Sequence, residues 1–120
     1  MLEGKGALVT GSSGSIGTAI ANAFAEAGAN VMLNGDRNPE AIEAQRDRMI
    51  ADYGTKVDYR IANLNEYSDI EALVAGCETS LGSLDIVINN AGVRHTGKLQ
   101  DFPNDAWERA MRVNLCVRVV

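Results

Sequence analysis

Apolar residues follow two alternating rhythms along the chain. Continuous runs, Ala7-Leu8-Val9, Val31-Met32-Leu33 and Ile86-Val87-Ile88, alternate with stretches in which apolar positions recur every three or four residues. The continuous runs predict strands covered on both faces, as in a parallel sheet; the spaced ones predict half-buried helices. A first strand is expected over residues 6–9. A helix over 15–27 should bury Ile16, Ala19, Ile20, Ala23, Phe24 and Ala27, and Gly28 should end it in a left-handed turn. A second strand covers 30–34.

Asn38-Pro39 reads as a cap followed by a first-turn proline, opening a helix that runs to Tyr53 and stops at Gly54. Its charged residues, Glu40, Glu43, Arg46, Asp47 and Arg48, form a solvated face. A third strand spans about 56–62. Ser68-Asp69-Ile70-Glu71 has the form of a capping box for a third helix that buries Ile70, Leu73, Val74, Cys77 and Leu81 and closes at Gly82. A fourth strand is expected over 84–89. After a loop containing Gly92, Gly97 and Pro103, Asn104 is expected to cap a last helix still running at Val120.

Strand and helix thus alternate four times, βαβαβαβα, with no repeat or linker between them. That order predicts an α/β, Rossmann-like parallel sheet with strand order 3-2-1-4 and helices on both faces, a partial doubly wound fold. At 120 residues the chain is expected to be a single domain. In such a sheet the ligand lies beyond the carboxyl ends of the strands where strand order reverses, here between strands 1 and 4. Two small, polar segments converge there: Thr10-Gly11-Ser12-Ser13-Gly14-Ser15-Ile16-Gly17 after strand 1, and Asn89-Asn90-Ala91-Gly92 after strand 4. Strand, glycine-rich turn and helix make a phosphate cradle, because glycines let a diphosphate approach and the first N–H groups of the helix lack partners.

Asp36, 19 positions after Gly17, is placed to accept hydrogen bonds from an adenosine ribose 2′-hydroxyl, which favours NAD; its neighbour Arg37 would meet the 2′-phosphate of NADP. Asn114 shares a helix face with Trp107, Ala110 and Met111, so it must find a polar partner there, in the core or at a site. His95, beside Arg94, either touches a substrate or is a surface loop residue, as is Lys98.

Composition narrows the field. A net charge of −5 argues against nucleic-acid binding. The apolar runs are too short to span a bilayer, and 1–5 hold no secretory signal, so a cytoplasmic location is expected. The two cysteines, Cys77 and Cys116, lack metal-ligand spacing and read as small buried residues of a reducing compartment.

The glycine loop, Asn89-Asn90-Ala91-Gly92, the Leu84-Asp85-Ile86-Val87 before it and Val113-Asn114-Leu115 together resemble the short-chain dehydrogenase/reductase family. The likeness runs along the whole chain but covers only the first half of a typical member. Within the family it is most like the 3-hydroxybutyrate dehydrogenases, through Leu33-Asn34-Gly35, His95-Thr96 and Asp101-Phe102-Pro103; gluconate and acyl-carrier-protein reductases share similar segments.

The resemblance implies NAD, with NADP as the alternative. It puts cofactor contacts at Gly11, Ser13, Ser15, Ile16 and Gly17 in the loop, Asp36 after strand 2, Asn63 and Leu64 after strand 3, and Asn90, Ala91 and Gly92 after strand 4. It implies a small alcohol or ketone substrate held near Arg94 and His95, and it makes Asn114 the one catalytic position retained. Members move a hydride between nicotinamide and a secondary alcohol or ketone, using a tyrosine with a lysine four residues later and a serine. Here Tyr53, Tyr59 and Tyr67 are followed at that distance by Val57, Asn63 and Glu71.

Several positions depart from the pattern. Ser15 stands where this branch has its middle glycine, with Gly14 one place earlier, a spacing like that of the extended branch of nucleotide-sugar epimerases. Gly35 stands at the usual aspartate position, Asn63 replaces the adenine-contacting aspartate, and Arg94 replaces a glutamine that holds the substrate carboxylate. The apolar fourth strand would be a sheet edge, which points to a longer fold or to a homo-oligomer built on that edge. The expectation is therefore the NAD(P)-binding half of an oxidoreductase without useful turnover of its own. A non-catalytic nucleotide-binding or self-associating module is the alternative.

Overall fold

The computed structural model describes residues 1–35, 38–92 and 97–113; the side chain of Leu99 is also outside the description. Four parallel strands form one sheet in the order β3-β2-β1-β4: β1 (Gly6–Val9), β2 (Asn30–Gly35), β3 (Val57–Ile61) and β4 (Ile86–Ile88). Helices α1 (Ser15–Glu26), α2 (Pro39–Tyr53) and α3 (Tyr67–Leu81) make the crossovers, and α4 (Asn104–Met111) follows a single helical turn at Leu99–Asp101. This is the expected α/β order with strand sequence 3-2-1-4.

Side chains alternate along β1 and β2 between two cores, so each strand feeds both faces of the sheet. On one face Leu8 and Met32 pack with Ile70, Leu73, Cys77 and Leu81 of α3. On the other Val9, Val31 and Leu33 pack with Ala21 and Ala25 of α1 and with Ile42 and Met49 of α2. Desolvation pushes the buried Cys77 thiol up to about 11, so it stays protonated and behaves as a small apolar group. No helix among the described residues is long and apolar enough to cross a membrane.

Helix ends follow local chemistry. The Asn38 side chain accepts from the Ala41 N–H at 3.2 Å and Pro39 opens α2, as the sequence predicts. Gly28, Gly54 and Gly82 have φ of 98°, 70° and 87°, the left-handed turns expected of them.

Several local expectations are corrected. The buried stripe of α1 is Gly17, Ala21 and Ala25, whereas Ile16, Ala19 and Ala23 are exposed. The small residues let the helix lie closer to the sheet than a stripe of isoleucines would. Ser68 caps nothing: α3 begins at Tyr67 after Glu66, and the Asp69 carboxylate accepts from the Asn63 N–H instead, tying the β3–α3 turn to the helix. Val74 is only half-buried. Asn104 is the first residue of α4 rather than its cap, because Pro103 occupies the cap position. On α4, Trp107 and Met111 are exposed, so the apolar face expected around Asn114 is not core among the described residues; Trp107 meets Phe102 edge-on at 6.2 Å. β3 and β4 are also shorter than the apolar runs imply, and β2 extends one residue further, to Gly35.

The β1–β4 junction is sterically tight. A Cβ on Gly6 would lie 1.9 Å from the Ser83 carbonyl oxygen. The Asp85 carboxylate accepts from the Gly6 N–H at 2.9 Å and from the Ser83 hydroxyl at 2.7 Å, and the Asp85 N–H donates to the Gly6 carbonyl. These bonds, the Gly6 N–H foremost, hold the exposed carboxyl below its ordinary 3.8. A lowered folded-state value means that this contribution is complete above the unfolded value and disappears as pH falls through the folded one.

Thermal denaturation should therefore show Asp85→Asn melting below the unaltered chain at pH 7, with the difference closing towards pH 3. A gap that persists in acid would show that the carboxylate is not what fixes β4. In the same assay Gly6→Ala should destabilise by roughly 1–3 kcal/mol or more, since backbone must move to admit the methyl.

Candidate functional site

The carboxyl ends of β1, β2 and β4 are joined by a continuous hydrogen-bond system. Thr10 ends β1. Its hydroxyl donates to the Ile88 carbonyl at 3.3 Å and accepts from the N–H groups of Asn90 and Ala91, each at 3.0 Å. The Asn90 side-chain amide donates back to the carbonyls of Thr10 and Gly11, both at 3.2 Å. The segments after β1 and β4 are therefore pinned together before any ligand arrives.

Glycine is needed where they meet. Gly11 has φ 62°, and a Cβ there would lie 2.8 Å from the Ala91 Cα. A Cβ on Gly17 would lie 2.4 Å from the Gly11 carbonyl oxygen and 2.8 Å from the Asn90 side-chain nitrogen. Gly14 differs: its φ is −83° and an added Cβ would meet only the Gly11 oxygen, at 3.7 Å.

The other side of the loop is fixed to β2. Asn34 is 2% exposed; its side-chain oxygen accepts from the Gly11 N–H at 3.2 Å and its amide donates to the Arg60 carbonyl at 3.2 Å. Ser12 is fully buried. Its hydroxyl accepts from the Asn34 N–H at 2.8 Å, and its own N–H donates to the Asn34 carbonyl at 2.9 Å.

Above this scaffold lies a cleft of about 480 Å³. It is lined by Gly11, Ser13, Ser15, Ile16 and Gly17 from the glycine loop, Asn63 and Leu64 after β3, and Asn90, Ala91 and Gly92 after β4. All the cofactor candidates that fall within the described residues thus share one cleft, and the exposure of Ile16 at its mouth explains that residue's absence from the α1 core. Asp36, Arg94, His95 and Asn114 lie outside the described residues, as do Arg37 and Cys116; Lys98 is exposed.

Gly14 of the glycine loop also lines the cleft, as do Asn34, Gly35, Ala62, Arg109 and Val113, to none of which the sequence assigned a ligand contact. Asn34 carried a signal, a polar residue ending an otherwise apolar strand. Arg109 and Val113 carried none, because their place depends on how the chain after Gly92 folds back.

The α1 N-terminus faces this cleft through Ser15, Ile16 and Gly17. Their N–H groups find no acceptor among the described residues; the first helical bond of the turn is Thr18 N–H to the Gly14 carbonyl, 2.8 Å. Unpaired N–H groups at the positive end of a helix dipole, beside an open position at Gly14, suit an anion such as a diphosphate. The amide and apolar pair Asn63 and Leu64 suits a flat heterocycle that carries an amino group.

Comparison with known proteins agrees with this geometry. The family model described as short chain dehydrogenase matches residues 5–119. The D-beta-hydroxybutyrate dehydrogenases of Cupriavidus necator and Rhizobium meliloti are 38% and 39% identical to the chain over 96% and 92% of its length. The match covers 44% and 43% of those relatives, so the chain spans less than half of either. Among solved structures, a short chain dehydrogenase from Burkholderia cenocepacia in complex with NADP superposes with a TM-score of 0.92 at 33% identity, covering 97% of this chain and 47% of that one. With sheet order, glycine loop and the segment after β4 all in agreement, the chain belongs to the short-chain dehydrogenase family.

Proposed function

We propose that the cleft binds a nicotinamide dinucleotide and that residues 1–120 form the single NAD(P)-binding domain of a cytosolic oxidoreductase acting on a secondary alcohol or ketone, 3-hydroxybutyrate first among candidates. The observation that carries this reading is the row of α1 N–H groups, without an acceptor among the described residues, that opens onto a cleft at the β1–β4 switch point. Ser13, Ser15, Ile16 and Gly17 hold the diphosphate, with Gly11 admitting the adenosine side. Asn63 and Leu64 receive the adenine. Ala91 and Gly92 close the nicotinamide side, while Asn90 works through the loop it holds. Asp36 selects NAD through the ribose hydroxyls, with Arg37 as the feature that would favour NADP. When bound, the nicotinamide supplies a two-electron hydride carrier.

What this chain contributes is recognition and orientation. Arg94 is suited to a substrate carboxylate, by bidentate pairing, with His95 beside it. Asn114 is the retained catalytic position implied by the family likeness. No tyrosine of the chain has a lysine four residues later. An unassisted tyrosine, with a pKa of about 10, is a poor proton donor at neutral pH, so proton transfer needs groups these 120 residues do not hold. The hydroxybutyrate assignment rests on the names of the two relatives and on the segments around Asn34, His95 and Phe102.

Calorimetric titration of the 120-residue chain should show saturable binding of NAD, weaker binding of NADP, and no binding of either to a Gly11→Val variant. Tighter NADP binding would move the selectivity to Arg37, and binding of neither would sink the reading. Gly14→Ala, which the fold has room for, should melt with the unaltered chain yet bind NAD roughly tenfold more weakly.

Incubated with NAD and 3-hydroxybutyrate, the chain should give no sustained rise in NADH absorbance. Steady turnover would refute the assignment of proton transfer to residues outside it.

A further inference from the structure

The carbonyl of Ser12 faces away from the cleft, into the seam between α1 and α2, where two side chains hold it. The Thr18 hydroxyl donates to it at 3.0 Å and the Gln45 side-chain amide at 3.1 Å. Gln45 is 9% exposed, a buried polar residue on a helix whose neighbouring polar positions are solvated. It lies 33 residues from Ser12 and reaches the loop across a second, polar pocket of about 290 Å³ that Ser13 and Thr18 also line.

A trans peptide is planar, with its C=O and N–H antiparallel. Fixing the Ser12 carbonyl towards Gln45 therefore aims the N–H of the same peptide, that of Ser13, in the opposite direction. The Ser13 N–H has no acceptor among the described residues, and Ser13 lines the cofactor cleft. If the peptide turned over, a carbonyl oxygen would stand where a donor is needed, and an anionic or hydroxylic ligand oxygen would be repelled.

We infer that Gln45, with Thr18, is a positioning residue of the nucleotide site: it never touches the ligand but locks the Ser12–Ser13 peptide so that the Ser13 N–H is presented to an oxygen of the ligand's ribose or phosphate. The inference rests on the dinucleotide reading of the cleft. It gives α2, which contributes no lining residue to that cleft, a defined part in binding.

The test compares the 120-residue chain with Gln45→Met, which keeps the length of the side chain and removes the donor, and with Thr18→Val. Met49→Ala, in the same helix but against the core, serves as a variant that loses stability without touching the Ser12 carbonyl. Adenosine and ADP are titrated against each, and melting temperatures are recorded in parallel.

Gln45→Met should lose about 3- to 10-fold in ADP affinity, the worth of one hydrogen bond. Thr18→Val should lose a similar factor, and the pair should be non-additive because both act on one carbonyl. Met49→Ala should melt lower and bind ADP as the unaltered chain does. Loss for ADP alone assigns the ligand oxygen to phosphate, and loss for adenosine as well assigns it to ribose; both support the role. Unchanged affinity in Gln45→Met beside firm binding by the unaltered chain overturns it. So does an equal loss in Met49→Ala, which would trace the effect to stability alone. Failure of the unaltered chain to bind ADP or NAD overturns the dinucleotide reading and this inference together.

Discussion

Two backbones meet at the cleft with no room for a side chain between them, at Gly11 and Ala91, with 2.8 Å between the Ala91 Cα and the place a Gly11 side chain would start. The rest of the site depends on this contact. It puts the turn after β1 against the turn after β4 without a side chain between them. That leaves their polar backbone groups facing one another, to be satisfied by Thr10 and Asn90 rather than by water. A residue larger than glycine would separate the two strand ends and open the β1–β4 register at the point where the cleft begins. The same economy recurs at the other end of the pairing, where Gly6 lies under the Ser83 carbonyl and Asp85 ties the two strands. Two glycines at opposite ends of one short parallel pairing set the geometry of the site.

The layering explains why the cleft has one hard wall and one open one. The loop is braced from behind by β2 through Asn34 and by α2 through Gln45, so its backbone is determined by residues that are themselves buried. Its front, the first turn of α1, carries donors with no acceptor among the described residues. A buried donor without a partner costs about 1–3 kcal/mol, but at the mouth of an open cleft water covers that cost until an anion replaces it. Rigid support behind and unspent donors in front are what preorganised anion recognition requires.

Architecture was legible in the sequence because its signals are local and repeated. The apolar strands, the glycine stops at Gly28, Gly54 and Gly82, and the cap at Asn38 each declare themselves within a few residues. Most of the cleft was legible too, since the switch-point rule converts chain order into a location and small polar residues cluster at strand ends. The errors share a cause. On α1 the apolar period fits either Ile16-Ala19-Ala23 or Gly17-Ala21-Ala25; only the sheet, which rewards close approach, decides between them. At α3 the motif Ser-Asp-Ile-Glu has a capping box's residues, but Asp69 is drawn to the Asn63 N–H, a partner set by the β3 turn rather than by the helix. Gln45 was invisible because nothing in α2 distinguishes one buried amide among solvated polar neighbours; its significance lies in Ser12, 33 residues away.

The unusual glycine spacing has a physical basis. Of the three glycines in the loop, Gly11 and Gly17 are demanded by the protein itself, since a methyl on either would strike backbone. Gly14 is demanded by nothing in the fold, and the exposed Ser15 that follows it stands in open cleft. The chain therefore departs from its branch of the family at the one stretch of the loop where the scaffold is indifferent, and keeps glycine wherever the scaffold is not. Selection on folding cannot account for glycine at position 14, because alanine would fit there and would lower the entropy of the unfolded chain. What remains to favour glycine is the space it leaves in front of the α1 donors. A glycine moved by one position still leaves that space open, and the serine hydroxyl moved into its place adds a donor beside three N–H groups that have no acceptor among the described residues.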